Sequence, residues 1–137
     1  MFLDFIKSFA PGKILTLHPV SWQIFKICFL HQKTVQGLFD VQGGVCQRPT
    51  YQLGSPQFDR IEISLKGHKN SGKRFVIETQ GNGPGQYYVQ SATLNGKPLN
   101  QCWLYRDELY KGGTLKLQMG GVPNEQWGIE SAPACPQ

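Results

Sequence analysis

Residues 88–120, YVQSATLNGKPLNQCWLYRDELYKGGTLKLQMG, carry the strongest local structure signals in the chain. The Asn95-Gly96 pair predicts a type I′ turn, because both central positions of that turn need a positive φ. This turn would end a strand over 86–94, QYYVQSATL. Alternation of apolar and polar residues in TLKLQMG (114–120) predicts a second strand. Its buried side would be formed by Leu115, Leu117 and Met119.

Strand signals continue upstream of this stretch. FDRIEISL (58–65) alternates strictly, and KRFVIET (73–79) follows the polar loop GHKNSG, so the two predict a hairpin. GLFDVQGG (37–44) predicts another short strand, and GNGPG (81–85) predicts a turn. The inward side of the first hairpin strand would be Ile61, Ile63 and Leu65.

One short helix is predicted, from YRDELY (105–110), and Gly112 fits the left-handed cap that commonly ends a helix. The chain thus has five or six strands, one short helix and no regular alternation of strands with helices. This pattern predicts a mainly β fold, an antiparallel β-sandwich-like region.

Residues 1–36 differ in character from residues 37–137, and we treat them as a separate segment. Trp22, Phe25 and Phe29 would share one face of a helix, so a helical segment is one interpretation of this part. The apolar cluster Trp22–Leu30 is too short for a membrane span and contains Lys26. The start, MFLDFIKSFAPGK, lacks the basic beginning of a signal peptide.

The charge distribution disfavours a nucleic-acid-binding protein. The net charge of +5 and the pI of about 9.1 come largely from residues 1–36, which hold four lysines and one aspartate. Residues 37–137 hold ten basic and eight acidic side chains, a net charge of +2. No basic block of the kind that follows a phosphate backbone is present.

Cysteine and histidine spacing predicts no metal site. Cys28, Cys46, Cys102 and Cys135 form no Cys-x-x-Cys pair, and we favour free thiols over one or two disulfides. His18 and His31 have no acidic neighbours that would complete a ligand set.

Three ordered segments resemble the C-terminal region of glycoside hydrolase family 92. They are YQLGSPQFDRIEISL (51–65), FVIETQGNGPGQYYVQSATLNGKPLNQCWL (75–104) and RDELYKGGTLKLQMGGVPNEQWG (106–128). The resemblance runs from about residue 37 to residue 128, and several ordered motifs are far more specific than one short pattern.

The resemblance implies a calcium-dependent exo-α-mannosidase as the parent enzyme, acting on mannose-containing glycans through a large (α/α)₆ catalytic domain. The matched part would be the strand-rich tail that packs on that domain. In the family, an acidic motif that supplies the general base precedes the part matched by GLFDVQGG. The corresponding residues 18–36 contain no carboxylate, so residues 1–36 are interpreted as remnant, mis-started or out-of-frame sequence. Calcium is implied for the full-length family and no ligand for it is predicted in this chain.

The sequence offers no catalytic pair, because inversion at a glycosidic carbon needs two carboxyl groups about 6.5–9.5 Å apart. Glu62 and Glu78 lie on neighbouring predicted strands, but we expect them to pair with Arg60, Lys73 or Arg74. No catalytic residue is therefore predicted, and the expected function is an inactive C-terminal fragment of an α-mannosidase. Family members are commonly exported, and the compartment of this chain is left open.

Aromatic residues motivate an alternative function, a free-standing carbohydrate-binding β-sandwich. Trp103, Trp127 and Tyr87 are the candidates for stacking on sugar rings or for contacting a missing domain. Burial of Trp103, and of either Tyr87 or Tyr88, inside the sandwich or at the interface to the missing domain is the simpler interpretation. Trp127 follows the strands in a loop and is the better candidate for a sugar or an interface.

Overall fold

The computed structural model describes residues 14–17, 37–39, 48–66 and 74–130. Their elements are β1 (Ile14–Leu17), β2 (Leu38–Phe39), β3 (Thr50–Leu53), β4 (Arg60–Ser64), β5 (Arg74–Gln80), β6 (Tyr88–Leu94), β7 (Lys97–Pro98), β8 (Trp103–Tyr105), α1 (Arg106–Tyr110) and β9 (Gly113–Gly120). Within these ranges no helix is long and apolar enough to cross a membrane.

The described strands form two sheets. The larger has the order β1-β4-β5-β9-β6-β7, and the smaller has the order β2-β3-β8. Most neighbours run antiparallel, which confirms the predicted mainly antiparallel β fold with one short helix. Two pairs, β1 with β4 and β5 with β9, run parallel and were not expected.

Both sheets contribute to one apolar core, as in a β-sandwich. The centre of the large sheet supplies Phe75, Ile77 and Leu115, each 0% exposed, and Leu104 from the small sheet is also 0% exposed. The predicted inward side of β9 is confirmed, because Leu115, Leu117 and Met119 are all buried. Alternation alone therefore identified the core side of this strand correctly.

The turn and the helix cap have the predicted backbone geometry. Asn95 has φ 51° and Gly96 has φ 81°, as a type I′ turn requires. Asn95 donates its N–H to the Thr114 carbonyl and accepts the Thr114 N–H at Oδ1, both at 2.8 Å. Gly112, with φ 80°, follows α1 and donates its N–H to the Leu109 carbonyl at 2.9 Å. The turn after β6 is thus tied directly to the start of β9.

Part of the N-terminal segment differs from the expectation, and two other expected features lie outside the described residues. Ile14–Leu17, from the N-terminal segment, is a strand and not a helix, and it joins β4 in the large sheet. The helix candidate around Trp22 and the hairpin loop GHKNSG lie outside the described residues. The division of the chain at residue 36 stays a prediction.

Candidate functional site

Tyr87 and Tyr88 are both on the surface, so the prediction that one of them points inward was wrong. Tyr87 is 65% exposed and Tyr88 is 43% exposed. The reason is their position: β6 begins at Tyr88, which pairs with Gly120 at the far end of β9. Tyr87 precedes the strand and is outside its hydrogen-bonded ladder. The strand also changes register between Val89 and Ser91, which interrupts simple alternation.

Trp103 is 5% exposed and is therefore not available for stacking on a sugar. It lies on the side of β8 opposite Leu104, since successive strand residues point to opposite faces. Its ring meets Tyr105 edge to face, with centroids 5.0 Å apart. The Arg48 guanidinium lies 3.4 Å from the centre of the Tyr105 ring, a cation–π contact.

The same arginine also anchors the helix that follows β8. Arg48 forms two hydrogen bonds to the Asp107 carboxylate, at 3.1 and 3.0 Å. These bonds lower the pKa of Asp107 and raise that of Arg48. Asp107 lies in the first turn of α1. Arg48, Tyr105 and Asp107 thus form a structural cluster rather than a reactive one.

The loop that contains Trp127 is hydrogen-bonded to β6 and to the residue that follows β7. The Asn124 Nδ2 donates to the Gln90 carbonyl at 2.8 Å, and the Trp127 Nε1 donates to the Leu99 carbonyl at 2.9 Å. The Trp127 ring is half-buried and packs against the core. Because β7 pairs only with the end of β6, Asn124 bonds β6 beyond the part that β7 covers, whereas Trp127 bonds Leu99, the residue that follows β7. The PNEQWG motif therefore has a structural role, the hydrogen bonding of its loop to the sheet, that the sequence did not indicate.

Glu62 and Glu78 lie in an ion-pair network, as expected. Arg60 binds Glu62 at 2.7 Å through Nη2 and also bonds Glu78 through Nη1. Arg74 lies 3.7 Å from Glu62, and Lys116 lies 3.5 Å from Glu78. The hydrogen bond from Arg60 lowers the pKa of Glu62. A general acid needs the opposite shift.

A shallow groove of about 250 Å³ runs over the same face of the large sheet, and no sequence pattern indicated it. It crosses β5, β9 and β6, and its polar lining consists of Gln80, Ser91, Thr93, Lys116 and Gln118. These residues could be found only once β9 was known to lie between β5 and β6. Amide, hydroxyl and ammonium groups of this kind can hydrogen-bond sugar hydroxyls.

The described residues do not fit a calcium site. No group of three or more His, Cys, Asp or Glu side chains in these ranges could hold a metal ion. Calcium takes six to eight oxygen ligands, and the neighbouring carboxylates Glu62 and Glu78 are already bound by basic side chains. Cys102 has a free thiol, whereas Cys28, Cys46 and Cys135 lie outside the described residues.

Residues 31–121 match the glycosyl hydrolase family 92 catalytic domain. The chain belongs to glycoside hydrolase family 92, which confirms the resemblance seen in its motifs.

Individual relatives agree with this assignment. An uncharacterised secreted glycosidase of Arthroderma benhamiae is 31% identical over 97 residues, which are 69% of this chain and 11% of the relative. A solved family 92 inverting mannosidase of Bacteroides thetaiotaomicron is 35% identical over 71% of this chain, with a TM-score of 0.62. A second solved family 92 hydrolase, ccman5, is 33% identical over 75%, with a TM-score of 0.63.

The chain spans only a small part of these relatives. It covers 12% of each of the two solved chains and 11% of the fungal glycosidase. Their overall activities therefore belong to much longer polypeptides.

Proposed function

We propose that residues 37–137 form the C-terminal β-sheet region of a family 92 α-mannosidase, an enzyme that removes α-linked mannose from glycans. The observation that carries this proposal is the family match over residues 31–121 in a chain that covers 12% of the solved mannosidase. In this proposal the region supports an (α/α)₆ catalytic domain and has no hydrolytic activity by itself.

The chemistry of the described carboxylates supports the lack of independent activity. An inverting glycosidase needs one carboxyl group that stays protonated and another that activates water. Arg60 holds Glu62 in the charged form by lowering its pKa, and Glu78 bonds both Arg60 and Lys116. These groups therefore suit the surface of a sheet better than a reaction centre.

Calcium would belong to the remainder of the parent enzyme. The family resemblance implies the ion, but the described residues offer no oxygen-rich cluster for it. In the proposed full-length enzyme, the mannose-containing glycan would likewise be bound by the catalytic domain. We expect added calcium to leave the melting temperature of this chain unchanged.

A chimeric enzyme tests the proposed function. In the Bacteroides mannosidase that is 35% identical, the aligned segment is replaced by residues 37–130 of this chain. Hydrolysis of an aryl α-mannoside is then measured in the presence of calcium. We expect a kcat/KM within about tenfold of the parent enzyme, a loss of at most about 1.4 kcal/mol in transition-state stabilisation.

Two controls make the test decisive. A chimera with Leu115→Asp, at a position with 0% exposure, should lose activity because its sheet cannot pack. The 137-residue chain alone should show no hydrolysis above buffer. Loss of activity in every chimera, or enzyme-like turnover by the chain alone, would contradict the proposal.

The groove across β5, β9 and β6 favours one other candidate, a free-standing carbohydrate-binding module. Calorimetric titration of the whole chain with mannose and α-mannobiose tests it. Saturable binding should weaken in Gln118→Ala, which alters the groove, and persist in Gln126→Ala, which lies in an exposed loop. Sugar concentrations of tens of millimolar are roughly the weak limit of specific recognition. If the wild-type chain shows no saturation up to that concentration, this candidate is ruled out.

A further inference from the structure

One end of the large sheet has an uncharged surface. It comprises residues 81–88 and 120–122, and we call it the tyrosine end. Residues 79–96 and 117–124 contain no charged side chain, in a chain where 17% of residues are charged. The cores of protein interfaces show the same depletion of charge, together with enrichment in tyrosine.

Large apolar side chains are exposed at the tyrosine end. Val122 is 72% exposed, and Tyr87 and Tyr88 are 65% and 43% exposed. They are neighbours, because Tyr88 pairs with Gly120 and the Gln90 side chain donates to the Val122 carbonyl at 2.7 Å. Ser55 also bonds the Tyr87 carbonyl. These bonds hold the loops in place and present the side chains on a preformed surface.

Gly83 is a second, independent feature of this surface. Gly81 and Gly85 in the same loop have φ values of 73° and 81°, which favour glycine. Gly83 is not among the positive-φ glycines, and a Cβ built there would meet no atom within 4 Å. The fold of the described residues therefore gives no reason for glycine at this position. Glycine does permit close approach by another backbone.

We propose that the tyrosine end is the surface by which this region contacts the remainder of a family 92 polypeptide. This inference rests on the proposed function. The partner surface would be apolar and poor in charge, with backbone near Gly83 and polar groups that bond the two tyrosine hydroxyls. Chain length indicates this partner. This chain covers 12% of the solved mannosidase, so most of that polypeptide lies outside the matched region and is available to contact it.

Binding by the whole chain tests the inference. The probe is the Bacteroides mannosidase with its aligned segment deleted, immobilised for interferometry. Its own excised segment serves as the positive control for a competent probe. The 137-residue chain is compared as wild type, Val122→Asp and Ile129→Asp. The two substituted side chains are matched, since each is 72% exposed and only Val122 lies in the tyrosine end.

We expect Val122→Asp to bind at least tenfold more weakly than wild type, because a charge would be buried unpaired at the contact. Ile129→Asp should bind like wild type. Gly83→Gln is a second variant that the isolated fold should tolerate, and it should also weaken binding by blocking the approach of the partner backbone. Circular dichroism of each variant verifies that the chain is folded.

The possible outcomes distinguish a failure of this inference from a failure of the proposed function. Equal binding by wild type, Val122→Asp and Gly83→Gln would overturn the inference and leave the proposed function intact. Failure of the wild-type chain to bind a probe that recaptures its own segment would overturn both. A wild-type dimer that Val122→Asp dissociates would assign the surface to a second copy of this chain and also overturn the inference.

Discussion

Replacement of Gly113 by alanine should destabilise the fold strongly, because two features of the structure oppose a side chain there. Gly113 has φ 128°, a backbone conformation that L-residues rarely adopt. A Cβ at this position would also lie 2.0 Å from the Asn95 Oδ1 atom. That oxygen accepts the Thr114 N–H at 2.8 Å, so the Asn95 side chain cannot move without breaking the bond between the turn and β9.

The cost can be estimated from these two features. A residue held in a sparsely populated backbone region costs about 1–3 kcal/mol. Loss of the bond between Thr114 and Asn95 adds about 0.5–1.5 kcal/mol. We therefore expect Gly113→Ala to lower the free energy of unfolding by about 1.5–4.5 kcal/mol, a large part of the roughly 5–15 kcal/mol that stabilises a typical domain.

Urea unfolding monitored by circular dichroism measures this change. Gly83→Ala is the matched control, since no positive φ and no neighbouring atom oppose a Cβ there. It should change stability by less than about 0.5 kcal/mol, or stabilise slightly by restricting the unfolded chain. In an Asn95→Gly background, Gly113→Ala should cost about 1 kcal/mol less, because the obstructing side chain is absent.

Two results would refute the reasoning. A stability of Gly113→Ala within about 0.5 kcal/mol of wild type would show that neither the backbone strain nor the contact matters. An unchanged cost in the Asn95→Gly background would show that the Asn95 side chain is not the obstacle.

Two further predictions concern the loop after β9 and the polar face of the sheet. Trp127→Phe should cost about 1–3 kcal/mol, because the half-buried Leu99 carbonyl loses the indole N–H that bonds it at 2.9 Å. Urea unfolding by circular dichroism measures this, and a negligible change would contradict the bond's role. Arg60 lowers the pKa of Glu62 in the folded protein. Their ion pair should therefore stabilise the fold at pH values above the unfolded-state pKa of Glu62, about 4.3. This stabilisation should be lost as the pH falls through the lower pKa that Glu62 has in the folded protein. Urea midpoints from neutral to acidic pH should therefore decline less steeply in Arg60→Met than in wild type, and parallel profiles would contradict the assignment.

Short-range signals predicted the elements whose geometry depends on neighbouring residues. The Asn95-Gly96 turn, the glycine cap at Gly112 and the buried side of β9 needed only local backbone preferences and the two-residue period of a strand. The expected pairing of Glu78 with Arg60 followed from adjacent predicted strands, and the register confirms it.

The candidate surfaces could not be predicted in the same way. A polar residue such as Gln118 has no local feature that marks it as lining a groove. Its neighbours there, Gln80 and Ser91, belong to two other strands. The exposure of both Tyr87 and Tyr88 depends on where β6 begins and on what lies beyond the end of the sheet.

The sequence by itself determined the family, the mainly β fold and the positions of most strands, because ordered motifs and apolar alternation are properties of neighbouring residues. Only the tertiary structure decided that β9 lies between β5 and β6, with a parallel partner on one side and an antiparallel one on the other. It also decided that Asn124 bonds β6 at Gln90 and that Trp127 bonds Leu99, the residue that follows β7. Strand order and edge contacts join residues that are distant along the chain, and their free energy comes from packing and backbone hydrogen bonds that no local pattern encodes.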